Sequence, residues 1–185
     1  MANPRIISGS ARGTRLIGIP GRTTRPITDR TKEALFNIIG QDIFNSSMLD
    51  LFGGTGSVGI EALSRGANYV RFVEINPKVF DVIRKNLEKT HLSNRADVIC
   101  MDAFKYLKEK MDKTFDYIFI APPQYQNLWA EILNILDMYP IHLDKFGWLI
   151  VQIDPLEYTQ INLRHYNLFD QRKYGSTLLL FFDNK

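Results

Sequence analysis

The chain has 185 residues, 45% of them hydrophobic and 23% charged, with a net charge of +3. That length fits one ordinary domain, and the composition excludes an intrinsically disordered chain. No stretch approaches the roughly 20 apolar residues that span a bilayer, the N-terminus lacks the apolar run of a secretory signal, and a lone cysteine, Cys100, excludes an internal disulfide or a multi-cysteine metal site.

Charge is concentrated at the start. Residues 1–40 carry seven basic side chains (Arg5, Arg12, Arg15, Arg22, Arg25, Arg30 and Lys32) against Asp29 and Glu33, a net of +5, so the remainder sums to −2. An anionic partner near this segment is one reading; a solvated basic surface is the other. The short apolar pieces Arg5–Ser8 and Arg15–Ile19 predict the two strands of a hairpin turned through Gly9 to Gly13. Thr28-Asp29 predicts a helix cap, and Leu35, Phe36, Ile38 and Ile39 give that helix an apolar face up to Gly40. Residues 1–40 thus form an arm on a core of residues 41–185, within one domain.

From Ser47 the pattern changes. Apolar runs at Met48–Phe52, Tyr69–Ile75, Ala96–Met101, Phe115–Ile120 and Trp148–Ile153 alternate with helical segments at Val58–Arg65, Pro77–Lys89, Ala103–Lys110 and Leu128–Met138. Strands apolar on both faces, alternating with helices, predict a parallel sheet covered on both sides. Asn76-Pro77 is a capping residue followed by proline at the first helical position. Ile161–Phe169 and Ser176–Phe182 predict a terminal antiparallel hairpin turned through Asp170 to Gly175. Cys100 falls in an apolar run and is expected to be buried. His91, His142 and His165 lack metal-ligand spacing and are expected at the surface or behind a site.

The first core strand runs into Gly53-Gly54-Thr55-Gly56-Ser57-Val58-Gly59, in which Gly54, Gly56 and Gly59 match G-x-G-x-x-G between a strand and a helix. Such glycines allow a tight turn and close approach of backbone to a ligand. Glu74, at the end of the next strand, is placed to accept hydrogen bonds from ribose hydroxyls. The glycines alone admit a dinucleotide as readily as S-adenosylmethionine. Asp50 favours the second: a carboxylate four residues before Gly54 suits an ammonium group and disfavours a pyrophosphate. The alternative for Asp50 is a strand-end residue bonding loop amides. Asp102, with Ala103 beside it, is placed either to meet an adenine amine or to cap the following helix.

The fourth core strand ends in Ala121-Pro122-Pro123-Gln124-Tyr125, a stiff turn at the strand end where ligands bind in open α/β sheets. This turn resembles the Asp/Asn-Pro-Pro-aromatic motif of methyltransferases that act on base or glutamine amines. Arg5-Ile6-Ile7-Ser8-Gly9, Arg12-Gly13, Thr24-Arg25-Pro26-Ile27-Thr28-Asp29-Arg30 and Glu33-Ala34-Leu35-Phe36-Asn37 resemble the RsmD family, methyltransferases of a guanine N2 in 16S-type ribosomal RNA. The likeness covers about residues 5 to 155. It implies an S-adenosylmethionine methyltransferase sheet of seven mostly parallel, Rossmann-like strands with a reversed terminal strand. It also implies an arm that encloses the cofactor and meets RNA. Within it the cofactor residues would be Asp50, Gly53, Gly54, Gly56, Gly59, Glu74, Asp102 and Ala103. Arg12, Arg25 and Arg30 would contact RNA phosphates, with an Arg30–Glu33 ion pair as the other role for Arg30.

One position departs from that pattern. Ala121 stands where the family carries an acid or amide, and Gln124 stands where it carries an aromatic residue, with Tyr125 following. A guanine amine is a poor nucleophile, and an acceptor for its hydrogens would orient it. Ala121 has no side-chain acceptor. The carbonyls of Ala121 and Pro122 remain, Gln124 could supply an amide oxygen, and Tyr125 could stack on a base swung out of the RNA. The expected protein is a cytoplasmic, monomeric enzyme acting on ribosomal RNA or the small ribosomal subunit, without metal or membrane. The rival readings are methylation of an adenine or cytosine amine in RNA or DNA, a catalytically impaired RNA-binding or ribosome-assembly protein, and a dehydrogenase using NAD.

Overall fold

A computed structural model describes residues 3–19, 27–109 and 113–185. Seven strands form one sheet: β1 (Ser47–Asp50), β2 (Tyr69–Glu74), β3 (Ala96–Cys100), β4 (Phe115–Ile120), β5 (Leu143–Ile153), β6 (Tyr166–Tyr174) and β7 (Thr177–Asn184). Their spatial order is β3-β2-β1-β4-β5-β7-β6; β7 alone is antiparallel to both its neighbours. Among the described residues five α-helices accompany them: α1 (Asp29–Ile39), α2 (Ser57–Ser64), α3 (Pro77–Thr90), α4 (Ala103–Lys108) and α5 (Leu128–Met138).

Side chains of successive strand residues point to opposite faces, so a strand between two helical layers must be apolar throughout. Met48, Phe72, Tyr117, Phe119 and Ile150 pack into the core under α1, α2 and α3. Their neighbours Leu49, Val73, Ile118 and Leu149 pack into a second core with α4 and α5. The chain order reverses at β1, with β2 and β3 on one side and β4 and β5 on the other, which opens a crevice at the strands' carboxyl ends.

Several expectations shift. In the arm, the hairpin contracts to a single Arg5–Arg15 bridge, flanked by Ile6 N→Thr14 O and Leu16 N→Pro4 O bonds. It follows α2 rather than joining the sheet. Strand β5 starts at Leu143, earlier than expected, because an irregularity lets Phe115 pair with Leu143 and Tyr117 with Trp148. Strand β6 runs on through Asp170–Tyr174, which the sequence reads as a turn. It is the sheet edge, so its polar residues face solvent, and the chain turns instead beside Gly175, at φ +60°. Cys100 is exposed, not buried, because β3 is the opposite edge. His142 is fully buried rather than at the surface: Phe115 donates its amide to the His142 carbonyl, and the ring Nε2 lies 2.9 Å from the Leu107 carbonyl. Burial pushes its pKa down.

Candidate active site

A cavity of about 790 Å³ opens at the carboxyl ends of β1, β2, β3 and β4, within the size range of small-molecule sites. Its first wall is the loop after β1. Gly54 and Gly56 have φ of +55° and +77°, a region that disfavours any side chain. Gly53 and Gly54 line the cavity with Thr55, Ser57 and Val58; Gly56 and Gly59 do not. Gly56 caps α2, and Gly59 serves packing, since a Cβ there would fall 2.3 Å from the Phe72 ring. The glycine pattern therefore combines loop shape, ligand approach and close helix–sheet contact.

Glu74 fixes this loop. Its Oε2 accepts the Gly54 amide at 3.1 Å and its Oε1 accepts the Asn76 amide at 2.9 Å, and each oxygen retains a lone pair. Asp50 is 2% exposed, and its Oδ1 has no hydrogen-bond partner. Burial pushes its pKa up to about 7; the nearby Gly59 and Phe52 amides pull it down, and the charge of Glu74 raises it further. Met101, Asp102, Ala103 and Phe104 form the wall beyond β3. Asp102 Oδ1 accepts the Lys105 amide at 2.9 Å, so Asp102 does cap α4 while facing the cavity.

Ala121, Pro122, Pro123, Gln124 and Tyr125 make the opposite wall. The turn is braced from the residues that follow β5. Tyr125 has φ +61°, donates its amide to Glu157 Oε2 at 2.7 Å and donates its hydroxyl to Asp154 Oδ2 at 3.0 Å. Asp154 and Glu157 themselves form a capping box on the short 3₁₀ turn Pro155–Glu157. The Tyr125 hydroxyl is thus turned toward Asp154, while the residue as a whole is 67% exposed.

The arm closes the cavity with Asn3, Pro4, Gly18, Ile19 and Ile27. It is held by buried polar groups that the sequence reading passed over. Lys32 of α1 donates to the Arg5 carbonyl at 2.7 Å and the Ser57 hydroxyl at 2.8 Å, with Glu61 Oε2 at 3.5 Å. Burial lowers its pKa, and Glu61 opposes that. Glu61 of α2 accepts the amides of Ile7 and Ser8 and the guanidinium of Arg65. Asn86 of α3 accepts the Ile17 amide and donates to the carbonyls of Ile17 and Thr55, tying arm to glycine loop. A signal did exist: Lys32 shares the buried stripe of Leu35, Phe36 and Ile39, and Asn86 that of Val79, Ile83 and Leu87. Among the proposed RNA contacts, Arg12 and Arg30 are exposed, and no ion pair joins Arg30 to Glu33. Arg25 lies outside the described residues. The described residues contain no cluster of three or more His, Cys, Asp or Glu that could hold a metal ion.

Sheet order, glycine loop, strand-end acids and Pro-Pro turn together define the class: a Rossmann-like α/β methyltransferase. Solved structures share it. The Escherichia coli protein yhhF superposes with a TM-score of 0.87 at 27% identity over 98% of both chains. An RNA methyltransferase from Salinibacter ruber, solved with S-adenosyl-L-homocysteine, shares the fold at a TM-score of 0.63 and 13% identity, over 85% of this chain and 92% of that one. The chain belongs to the family described as Conserved hypothetical protein 95, whose model matches residues 4–183. A curated relative, Ribosomal RNA small subunit methyltransferase D of Haemophilus influenzae, is 39% identical over 134 residues, 71% of this chain and 69% of its own length. The resemblance to the RsmD family is thereby borne out.

Proposed function

We propose that the protein transfers the methyl group of S-adenosylmethionine to the exocyclic N2 amine of a guanine in small-subunit ribosomal RNA. The observation that carries the cofactor is Asp50. A buried carboxyl oxygen without a partner is costly, and it is relieved by a cation or hydrogen-bond donor, not by a pyrophosphate. The other residues fit the same ligand. Gly53 and Gly54 bring backbone to the cavity, Glu74 has lone pairs left for ribose hydroxyls, and Asp102 with Ala103 borders the wall suited to adenine. When bound, S-adenosylmethionine supplies an electrophilic methyl carbon on a sulfonium sulfur.

The chain's own task is positional. The Pro122-Pro123 turn, braced through Tyr125, holds the substrate face of the cavity rigid, so that an amine entering there meets fixed carbonyls rather than mobile water. The exposed part of Tyr125 offers an aromatic face to a base lifted out of the RNA. The proton leaves to water, and no covalent intermediate on the enzyme is required. The substrate class rests on the name of the Haemophilus influenzae relative and on the basic arm, in which Arg12, Arg25 and Arg30 would meet phosphates. A cytoplasmic, monomeric protein fits this role. No helix of the described residues is long and apolar enough to cross a membrane.

Labelled methyl transfer to unmodified small ribosomal subunits, naked RNA and DNA tests the whole reading. Label in a guanine of the small subunit or its RNA is expected. Label confined to adenine, cytosine or DNA would replace the substrate, and no label in any of the three would leave a binding protein.

A further inference from the structure

Ala121 leaves the substrate wall without a side-chain acceptor at the position from which the resembled family supplies one. Strand β5 lies beside it. The parallel register pairs Ile120 with Val151, so Ala121 and Gln152 each stand one residue beyond the last pair, on neighbouring segments whose strands run about 4.8 Å apart. Alternation places both on the sheet face shared by Phe119 and Ile150, and both line the cavity. The Gln152 amide makes no hydrogen bond with any described residue, and its Oε1 is buried. A half-turn of the amide exchanges its oxygen and nitrogen, so the carbonyl can face the cavity.

The nearby acids do not serve. Asp154 accepts the Leu156 amide on Oδ1 and the Tyr125 hydroxyl on Oδ2, and it does not line the cavity. Asp50, Glu74 and Asp102 sit at the ends of β1, β2 and β3, on the cofactor side. Gln124 lies on the loop beyond two prolines, whereas Gln152 is rooted in the central sheet.

We propose that Gln152 is the hydrogen-bond acceptor for the substrate amine, supplied from β5 in place of residue 121. The inference rests on the methyltransferase reading above. As the new N–C bond forms and the C–S bond breaks, the sulfur keeps the bonding pair and the nitrogen gains positive charge until one hydrogen leaves as a proton to water. An amide carbonyl is too weak a base to take that proton. It orients the amine and offsets the growing charge, which raises kcat rather than affinity.

The test compares Gln152→Ala and Gln152→Glu with the unchanged protein. Thermal melting and calorimetry with S-adenosylmethionine confirm folding and cofactor binding. In single-turnover transfer to unmodified small subunits, Gln152→Ala should lower the rate by about 10- to 100-fold, with KM for the subunit little changed. Gln152→Glu, which restores an acceptor, should recover most of that loss. A rate for Gln152→Ala within about twofold of the unchanged protein overturns the proposal, as does a tenfold loss of cofactor affinity. A second readout separates this failure from failure of the methyltransferase reading. With the protein saturated by S-adenosyl-L-homocysteine, the Gln152 side-chain amide resonances should shift when guanosine monophosphate is added. Inosine monophosphate, which lacks the 2-amino group, should not shift them. Equal responses to the two nucleotides overturn the role of Gln152 even if the unchanged protein labels no RNA.

Discussion

Asp50 is the residue through which the proposed function couples fold, cofactor and pH. Its carboxyl titrates near 7 in the folded protein instead of 3.8, chiefly because it is buried. A carboxyl whose pKa rises on folding favours the folded state less as pH climbs from about 4 to 7. The penalty above that window is at most about 4 kcal/mol, from roughly three pKa units. Asp50→Asn should therefore raise the melting temperature of the free protein at pH 7.5 and change it little at pH 4. The same substitution should weaken S-adenosylmethionine binding, because in the proposed site the cofactor's ammonium would lose its carboxylate. Affinity of the unchanged protein should grow between pH 6 and 7.5, a range that stays below the usual amine pKa of about 7.7–8.0, and Asp50→Asn should flatten that rise. Calorimetry across this range decides the matter; a pH-independent affinity would detach Asp50 from the ammonium. The position of Asp50 is legible in the sequence because it ends an apolar strand just before a glycine loop. The unpartnered Oδ1 is not, because that depends on what the folded loop leaves unbonded.

At the scale of elements, the arm differs most from its sequence pattern. Its hairpin has almost no ladder, so it is held by side chains from three helices, and those partners stand 27 to 69 residues away along the chain. Local patterning cannot specify such pairings, although it can flag the polar residue on an apolar stripe. Lys32 is the central tie, since one ammonium bonds the arm backbone, the start of α2 and the carboxylate of Glu61. Lys32→Met should cost about 3–5 kcal/mol, the usual result of removing one member of a buried pair. Glu61 would keep Arg65 and two amides, which places the expectation toward the lower end. Denaturant unfolding measures the loss. Proteolysis within residues 3–19 should accelerate, and S-adenosylmethionine affinity should fall, because Pro4, Gly18 and Ile19 would no longer be pressed onto the cavity. Lys32→Met with unchanged stability and affinity would mean that Glu61 and Asn86 hold the arm without Lys32. The core elements were easier to read. Both faces of β1, β2 and β4 are covered, so apolar runs reveal them directly, whereas the edge strand β6 is polar and its bounds were displaced.

For the whole molecule, the decisive feature is where the excess positive charge lies relative to the cavity. Several arginines are already engaged. Arg5 pairs with Asp29, Arg65 with Glu61 and Arg71 with Asp97, and Arg95 bonds the carbonyls of Ala67 and Leu63. Arg12, Arg15 and Arg30 are exposed and make no ion pair with other described residues. Their distances from the site differ. The turn bearing Arg12 sits against Ser64 at the end of α2, where the Ser10 amide donates to the Ser64 carbonyl at 2.8 Å. The cavity borders Ser57 and Val58 at the start of that helix. Seven residues of helix separate the two, about 10 Å. Arg30 lies in the first turn of α1, two residues before Lys32, which reaches Ser57. An RNA whose target base enters the cavity would therefore pass Arg30 first and reach Arg12 only if it runs along the arm. Each lost phosphate contact lowers the slope of log affinity against log salt by about 0.7 to 0.9. Arg30→Ala should remove about that much, measured with small-subunit RNA in a salt titration, while cofactor affinity stays unchanged. Arg12→Ala should remove as much only for an RNA extended along α2, and nothing for a short hairpin carrying the target guanine. If Arg30→Ala leaves the slope intact with both RNAs, the RNA approaches from the β5 side, past Tyr125, and the charge of the arm serves solubility instead.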